Sequence, residues 1–114
     1  MSNFKRLNSL SVVDQLSFLE RYILIHSYLY YHRDTNIIDD KQYDDYAKHL
    51  EKLIALNDKE FKQSQYYYDF INYTSATGFD LYDRLNESDK KSISNLADYV
   101  LKCYNKDNNK KYKK

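Results

Sequence analysis

A short stretch between two predicted helices carries most of the residues that could bind a ligand. Tyr30 and Tyr31 end the first helix, and Asp40, Tyr43 and Asp44 begin the next one. Because residues 40 and 44 lie one helical turn apart, their carboxylates share a face, with Tyr43 beside them. Aromatic faces stack on cations, and carboxylates accept hydrogen bonds from ribose hydroxyls. We therefore expect this corner to bind a nucleotide with a cationic base, such as nicotinamide mononucleotide (NMN).

The same stretch resembles the small N-terminal domain, called Ia, of bacterial NAD-dependent DNA ligases. That domain carries a pattern close to Tyr-x-Tyr-His, then an Asp and a Pro-containing turn, then Asp-x-x-Tyr-Asp. The present chain has Tyr28-Leu29-Tyr30-Tyr31, Asp34 and Asp40-Lys41-Gln42-Tyr43-Asp44 in register, and the resemblance covers about residues 20–56. In those ligases the domain closes over the NMN half of NAD. The resemblance implies that Tyr30, Asp40, Tyr43 and Asp44 contact a nucleotide, with NMN or NAD as the possible ligand.

Two positions depart from the family's pattern. The family's His is Tyr31 here, which removes a titratable ring nitrogen from the site, and the turn Pro is Asn36, which leaves the turn less restricted. The ligases also need a Lys-x-Asp-Gly nucleophile motif, whereas the single glycine, Gly78, follows Thr77. We therefore expect a non-catalytic protein that binds the NMN part of NAD or a related nucleotide. It is not expected to be an enzyme or to require a cofactor.

Other residue types give little support to catalysis. One Gly and no Pro exclude a P-loop or a Gly-rich dinucleotide loop, because each needs several glycines near phosphate. The histidines His26, His32 and His49 show no metal-ligand spacing. His26 falls on an apolar stripe and is interpreted as a core histidine. Cys103 excludes internal disulfides and is expected to be buried or half-buried. A Cys–His nucleophilic pair is an alternative that no spacing favours.

The first half of the chain predicts a helical hairpin. Apolar residues follow a helical period along nearly the whole chain. Ser11 begins a capping-box pattern, and a wide apolar face after it predicts a central helix over about residues 12–33. Residues 34–40 are predicted to form a turn. Near its end, Asp39 is expected to cap a second helix that runs to about Leu56.

Three further helices and one loop are predicted in the second half. They are a third helix from Asn57 or Asp58 through Phe61, Tyr68 and Ile71, a loop at residues 74–78, a short helix at residues 81–85, and a last helix that is capped by Ser88 and reaches Tyr104. Because the connections are short, neighbouring helices should run antiparallel. We therefore expect an all-α fold, a compact bundle of four to five helices with a central helix hairpin.

Charge and hydropathy bear on domains and location. The formal net charge is +1, but residues 106–114 hold five Lys and one Asp, so the remainder carries −3. We expect a single helical domain over residues 1–105 and a basic flexible tail over residues 106–114, with weak non-specific nucleic-acid contact as the tail's minor use.

No segment has the ~18 apolar residues of a membrane span, and the N-terminus lacks a secretory signal. A soluble, cytoplasmic protein without a membrane partner is expected.

A protein-interaction role is the alternative. A small, Tyr-rich helical protein without a catalytic set is typical of phage or mobile-element proteins that inhibit a host defence or replication enzyme, in an anti-CRISPR-like or ligase-interfering way. It would then act in the host cytoplasm. Tyr66, Tyr67 and Tyr68 would span about 200° of a helix, so at least one should be exposed as an anchor for a host protein.

Overall fold

The computed structural model describes residues 9–35, 37–74 and 80–112, and for residues 106–112 it describes the backbone only. Within these ranges the chain forms helices and no strand. The elements are α1 (Val12–His32), α2 (Asp40–Leu56), α3 (Asp58–Phe61), a 3-10 turn (Tyr67–Asp69), α4 (Leu81–Arg84) and α5 (Glu87–Tyr112). The prediction of an all-α bundle built around a central hairpin is confirmed.

Helix α1 is the centre of the bundle. Its N-terminus is capped as predicted, since the Asp14 N–H donates to Ser11 Oγ over 3.2 Å. The helix packs against α2, α3, α4 and α5. Its buried apolar residues cover two neighbouring faces, and they are Leu16, Leu19, Ile23, Leu24, Ile25 and Leu29. The wide apolar face read from the sequence therefore becomes a surface that several elements share.

The turn after α1 reverses the chain in seven residues. Asp34 adopts a left-handed backbone with φ of 47°, and the Thr35 N–H returns to the Leu29 carbonyl over 2.9 Å. Asp39 then caps α2 as predicted, because its carboxylate accepts the Gln42 N–H over 2.6 Å. A short, tightly closed turn of this kind brings the end of α1 beside the start of α2.

Helix α2 runs antiparallel to α1. The ring centroids of Tyr22 and Tyr46 lie 4.1 Å apart, and Ser27 Oγ lies 2.9 Å from Tyr43 Oη. A later residue of α1 thus contacts an earlier residue of α2, as antiparallel helices require. Tyr46 is buried in the core, where it joins Ala47 and Leu50 of the same helix. Aromatic packing in the core therefore begins within the hairpin.

The predicted third helix is wrong beyond its first turn. Helix α3 ends at Phe61, and the chain continues through turns into the 3-10 segment. The cause is a set of hydrogen bonds from α1. Glu20 contacts Ser64 Oγ at 2.7 Å and accepts the Tyr66 N–H over 3.0 Å, while Ser17 Oγ accepts the Gln65 N–H over 3.0 Å. These contacts satisfy backbone donors that an α-helix would otherwise have used.

The last helices close the bundle beside the end of α1. Helix α5 buries Ile93 and Ala97 against the core. Its cap differs from the prediction, because the Asp89 N–H donates to Asn86 Oδ1 over 2.8 Å and Ser88 lies inside the helix. The backbone of residues 106–112, expected as a flexible tail, continues α5 to Tyr112. Residues 75–78 of the predicted loop, and residues 113 and 114, lie outside the described ranges.

Candidate functional site

A pocket of about 160 Å³ lies where α1 ends, the turn passes and α2 begins. Nine residues line it, and they are His26, Ser27, Tyr30, Tyr31, Thr35, Ile37, Ile38, Asp40 and Tyr43. Four of the five nucleotide-binding residues predicted from the sequence are among them. Typical ligand pockets measure about 300–1,000 Å³, whereas a cavity of about 150 Å³ holds a single benzene ring. The pocket therefore has room for one aromatic ring, with the rest of any larger ligand outside.

Asp44 is the predicted residue that the structure does not bring to the pocket lining. Its side chain is exposed and lies 3.2 Å from Lys48 Nζ. A residue four positions after Asp40 is displaced by about 6 Å along the helix and rotated by about 40°. The two carboxylates thus share a helix face, as expected, but only Asp40 reaches the lining.

Two tyrosine rings stand at the mouth of the pocket. Tyr30 and Tyr31 are 51% and 57% exposed, and their ring centroids lie 4.8 Å apart with planes inclined at 74°. Rings in this edge-to-face arrangement leave aromatic surface in contact with solvent at the pocket edge. They are therefore placed to contact a planar ring that enters from outside.

Hydroxyl groups from both helices meet on the pocket wall. Ser27 and Tyr43 share the 2.9 Å hydrogen bond that joins α1 to α2. Burial raises the pKa of Tyr43, its bond to Ser27 lowers the pKa, and the nearby Tyr31 and Asp44 raise it further. The phenol is accordingly neutral at physiological pH, and it can both donate and accept hydrogen bonds.

His26 lies on the pocket wall, whereas the sequence predicts a core histidine. It is half-buried, and its ring centroid lies 4.4 Å from that of Tyr22. Burial lowers the pKa of His26 to about 4, so the imidazole is neutral at pH 7. The signal that sequence reasoning missed is its position four residues before Tyr30, on the same helix face.

The mouth of the pocket is electrically negative. Among the described lining residues, Asp40 is the one that carries charge at pH 7. Two lysines of α2 pair with carboxylates on their own helix, Lys41 with Asp45 at 3.0 Å and Lys48 with Asp44 at 3.2 Å. An uncharged aromatic pocket with a carboxylate at its edge favours cationic, planar ligands.

The predicted interaction tyrosines divide into buried and exposed residues. Tyr66 is only 3% exposed, so it is a core residue and not a surface anchor. Tyr67 is half-buried, with its ring 4.8 Å from that of Phe61. Tyr68 is 85% exposed, which confirms that at least one of the three faces solvent.

Three further observations concern residues outside the pocket. Cys103 is exposed, which corrects the expectation of a buried or half-buried thiol. In the described part of the chain, no three His, Cys, Asp or Glu side chains come together as a metal site requires. Of the helices in the same ranges, none combines the length and apolar character that crossing a bilayer demands.

Comparisons of the chain with protein-family models, with curated proteins and with solved structures found no match. The class that the fold itself defines is a small all-α bundle whose central hairpin carries an open pocket at its turn.

Proposed function

We propose that this chain is a non-catalytic binding protein that takes the NMN part of NAD, or a related nucleotide, in the pocket at the hairpin turn. One observation carries the proposal: Tyr30, Tyr31, Asp40 and Tyr43, which lie on two helices and belong to one ligase-like motif, line the same pocket. The choice of NMN as the ligand comes from the resemblance to the ligase Ia domain. The aromatic lining with a carboxylate at its edge is complementary to the positively charged nicotinamide ring.

The cationic nicotinamide ring is the part of NMN that fits the pocket best. The volume of about 160 Å³ matches one ring. Contact with an exposed tyrosine face contributes about 0.5–2 kcal/mol for a cation, depending on how dry the contact is. Asp40 complements the positive charge, and the Tyr43 hydroxyl, which shares a hydrogen bond with Ser27, can also contact the carboxamide.

The test is a titration that separates ring charge from ring shape. We expect NMN to shift the amide NMR signals of α1 and α2 around the turn, and reduced NMN, which is similar in shape but lacks the positive ring charge, to shift them much less. Asp40→Asn should weaken NMN binding, whereas Asp14→Asn, the same change at an exposed acid in the first turn of α1, should not. The absence of any response to millimolar NMN would overturn the proposal.

A protein-interaction role is the second candidate, and the exposure of Tyr68 favours it. Ile71, three residues further on, is 50% exposed, so two large apolar side chains of one segment face solvent. Such a pair can anchor a partner. We propose, as this alternative, a phage or mobile-element inhibitor that contacts a host replication or defence enzyme.

A bacterial NAD-dependent DNA ligase is the defined partner for testing the alternative. The purified chain should inhibit nick sealing, and Tyr68→Ser should relieve the inhibition. Tyr99→Ser, at an exposed tyrosine of α5, is the control that should leave inhibition intact. Unchanged nick sealing at a large molar excess of the chain would argue against ligase interference.

A further inference from the structure

The charges around the pocket discriminate between parts of the proposed nucleotide. NMN consists of a cationic ring, a ribose and a phosphate that carries nearly two negative charges at neutral pH. Phosphate sites in proteins are built from Lys, Arg or unoccupied backbone N–H groups. No Lys or Arg occurs among the described residues that line the pocket. The cationic half of NMN finds complementary groups there, and the phosphate finds no cation.

In the described ranges, three cations that lie close in sequence to the lining residues are all paired. Lys41 and Lys48 form ion pairs with acidic residues of their own helix. Arg33, at the end of α1, pairs with Asp98 of α5. Each of these side chains would have to leave a carboxylate in order to reach a phosphate at the pocket mouth. Because an exposed ion pair is worth only about 0–1 kcal/mol, exchanging its carboxylate for a phosphate brings little net gain.

The N-terminus of α2 does not replace the missing cation. A helix N-terminus carries about half a positive charge and often binds phosphate. Here the carboxylate of Asp39 already accepts the Gln42 N–H, and Asp40 adds a second negative charge in the first turn. Two carboxylates outweigh half a charge, so this helix end repels an incoming anion.

The size of the pocket limits which part of the ligand it can enclose. With room for one ring, the pocket leaves the ribose at the opening, where the exposed Asp40 lines it, and the phosphate outside. The ribose hydroxyls can donate hydrogen bonds to that carboxylate. The phosphate, joined to the ribose through the 5′ carbon and oxygen, carries the same sign of charge and is repelled by it.

We infer that the pocket selects a cationic pyridinium nucleoside over its 5′-phosphate. The inference rests on the proposed function and narrows it: ring and ribose are recognised, and phosphate weakens binding. Nicotinamide riboside should therefore bind more tightly than NMN by about three- to tenfold at low salt, and NMN more tightly than NADH, whose ring is uncharged.

The experiment is calorimetric titration of the full chain with nicotinamide riboside and with NMN, at pH 7.5 and two salt concentrations. The riboside should bind more tightly, and the ratio of the two affinities should approach one at 0.5 M salt because screening weakens the repulsion. Asp40→Asn should weaken riboside binding and reduce the ratio. Asp14→Asn, at an exposed acid in the first turn of α1 and far from the pocket, should leave the ratio unchanged.

The outcomes separate the inference from the function on which it rests. If both ligands bind and NMN binds equally or more tightly, the inference is overturned and nucleotide binding stands. If neither binds at millimolar concentration, the proposed function fails and the inference fails with it. A ratio that Asp40→Asn leaves unchanged also overturns the inference, because another group would then be discriminating against phosphate.

Discussion

Helix α1 carries two polar clusters, about two turns apart, that differ in what surrounds them. Glu20 is fully buried, and its carboxyl oxygens contact Ser64 Oγ and the Tyr66 N–H. Ser27 is buried as well, but its hydrogen-bond partner Tyr43 is half-buried and lines an open pocket. Similar polar pairs thus serve different ends: one enclosed by the protein holds a segment in place, while a phenol on a pocket wall can also contact a ligand.

The carboxyl group of the enclosed cluster is held away from water. Ser64 Oγ lies 2.7 Å from Glu20 Oε2 and also 2.7 Å from the Phe61 carbonyl oxygen, and either oxygen can accept its proton. Burial raises the pKa of Glu20 to about 7, against the lowering effects of its hydrogen bonds to Ser64 and Tyr66 and of Arg21, while Asp69 raises it slightly.

Replacing Glu20, at the centre of the enclosed cluster, should have the largest effect on the stability of the fold. Glu20→Ala leaves the Tyr66 N–H and the Ser64 hydroxyl without their partner and opens a cavity, so we expect the free energy of unfolding to fall by about 2–4 kcal/mol. Urea denaturation measures this change. Glu87→Ala, at an exposed acid of α5, is the control and should cost about 0.5 kcal/mol or less. Equal losses in the two variants would contradict the assignment of Glu20 as a structural residue.

The proton on Glu20 should make stability depend on pH. Because the folded pKa of about 7 exceeds the ordinary value of 4.5, the native state binds more protons than the unfolded state between these pH values. Stability from this group is therefore fully present below about pH 4.5 and is lost as pH rises through 7, by roughly 2–3 kcal/mol. Urea denaturation at pH 5 and pH 8 measures it. Glu20→Gln, which keeps the neutral shape, should remove this dependence, and an identical pH profile in that variant would refute it.

His26, in the open cluster, should contribute a dependence of the opposite sign. Burial lowers its folded pKa to about 4 from 6.5, so the unfolded state binds the proton first as pH falls. Its contribution is present above about pH 6.5 and is lost on acidification toward pH 4, by about 2 kcal/mol after allowance for its partial exposure. His26→Phe should flatten the acid side of the stability profile. A profile that is unaffected by this change would show that His26 is solvated.

The smallest effect on stability is expected at Tyr43. Tyr43→Phe removes the hydroxyl that contacts Ser27, and a single neutral hydrogen bond is worth about 1 kcal/mol. Because the ring stays in place, the fold should persist and NMN affinity should fall by about three- to tenfold, as expected for the loss of one hydrogen-bonding group. Calorimetry on this variant, beside thermal unfolding, separates the two effects. An unchanged NMN affinity would remove Tyr43 from the site.

Local signals made much of the hairpin predictable. The caps at Ser11 and Asp39 depend on residues three positions away, and both are confirmed. The third helix failed because Glu20, 44 positions before Ser64, replaces local hydrogen bonds with tertiary ones. No pattern near residue 64 reports such a contact, so its turn geometry lies beyond what helical periodicity can predict.

Part of the pocket could be predicted from the sequence because it depends on the local signals of the hairpin. Tyr30 and Tyr43 meet because a short turn joins two antiparallel helices, which the sequence shows. Asp44 was misplaced because helix spacing defines a shared face but not how far that face extends into the opening. The contributions of Thr35 and Ile38 depend on the path of the turn, in which one residue adopts a positive φ that no spacing rule predicts.

That residue, Asp34, has a further consequence. Its positive φ directs the chain from the end of α1 into the segment that forms one side of the opening, and Asp and Asn tolerate this conformation better than β-branched residues do. One side of the opening thus depends on a backbone conformation outside the hydrophobic core. Substitutions at Asp34 can alter the opening while the core stays assembled, so ligand preference and folding can change independently during evolution.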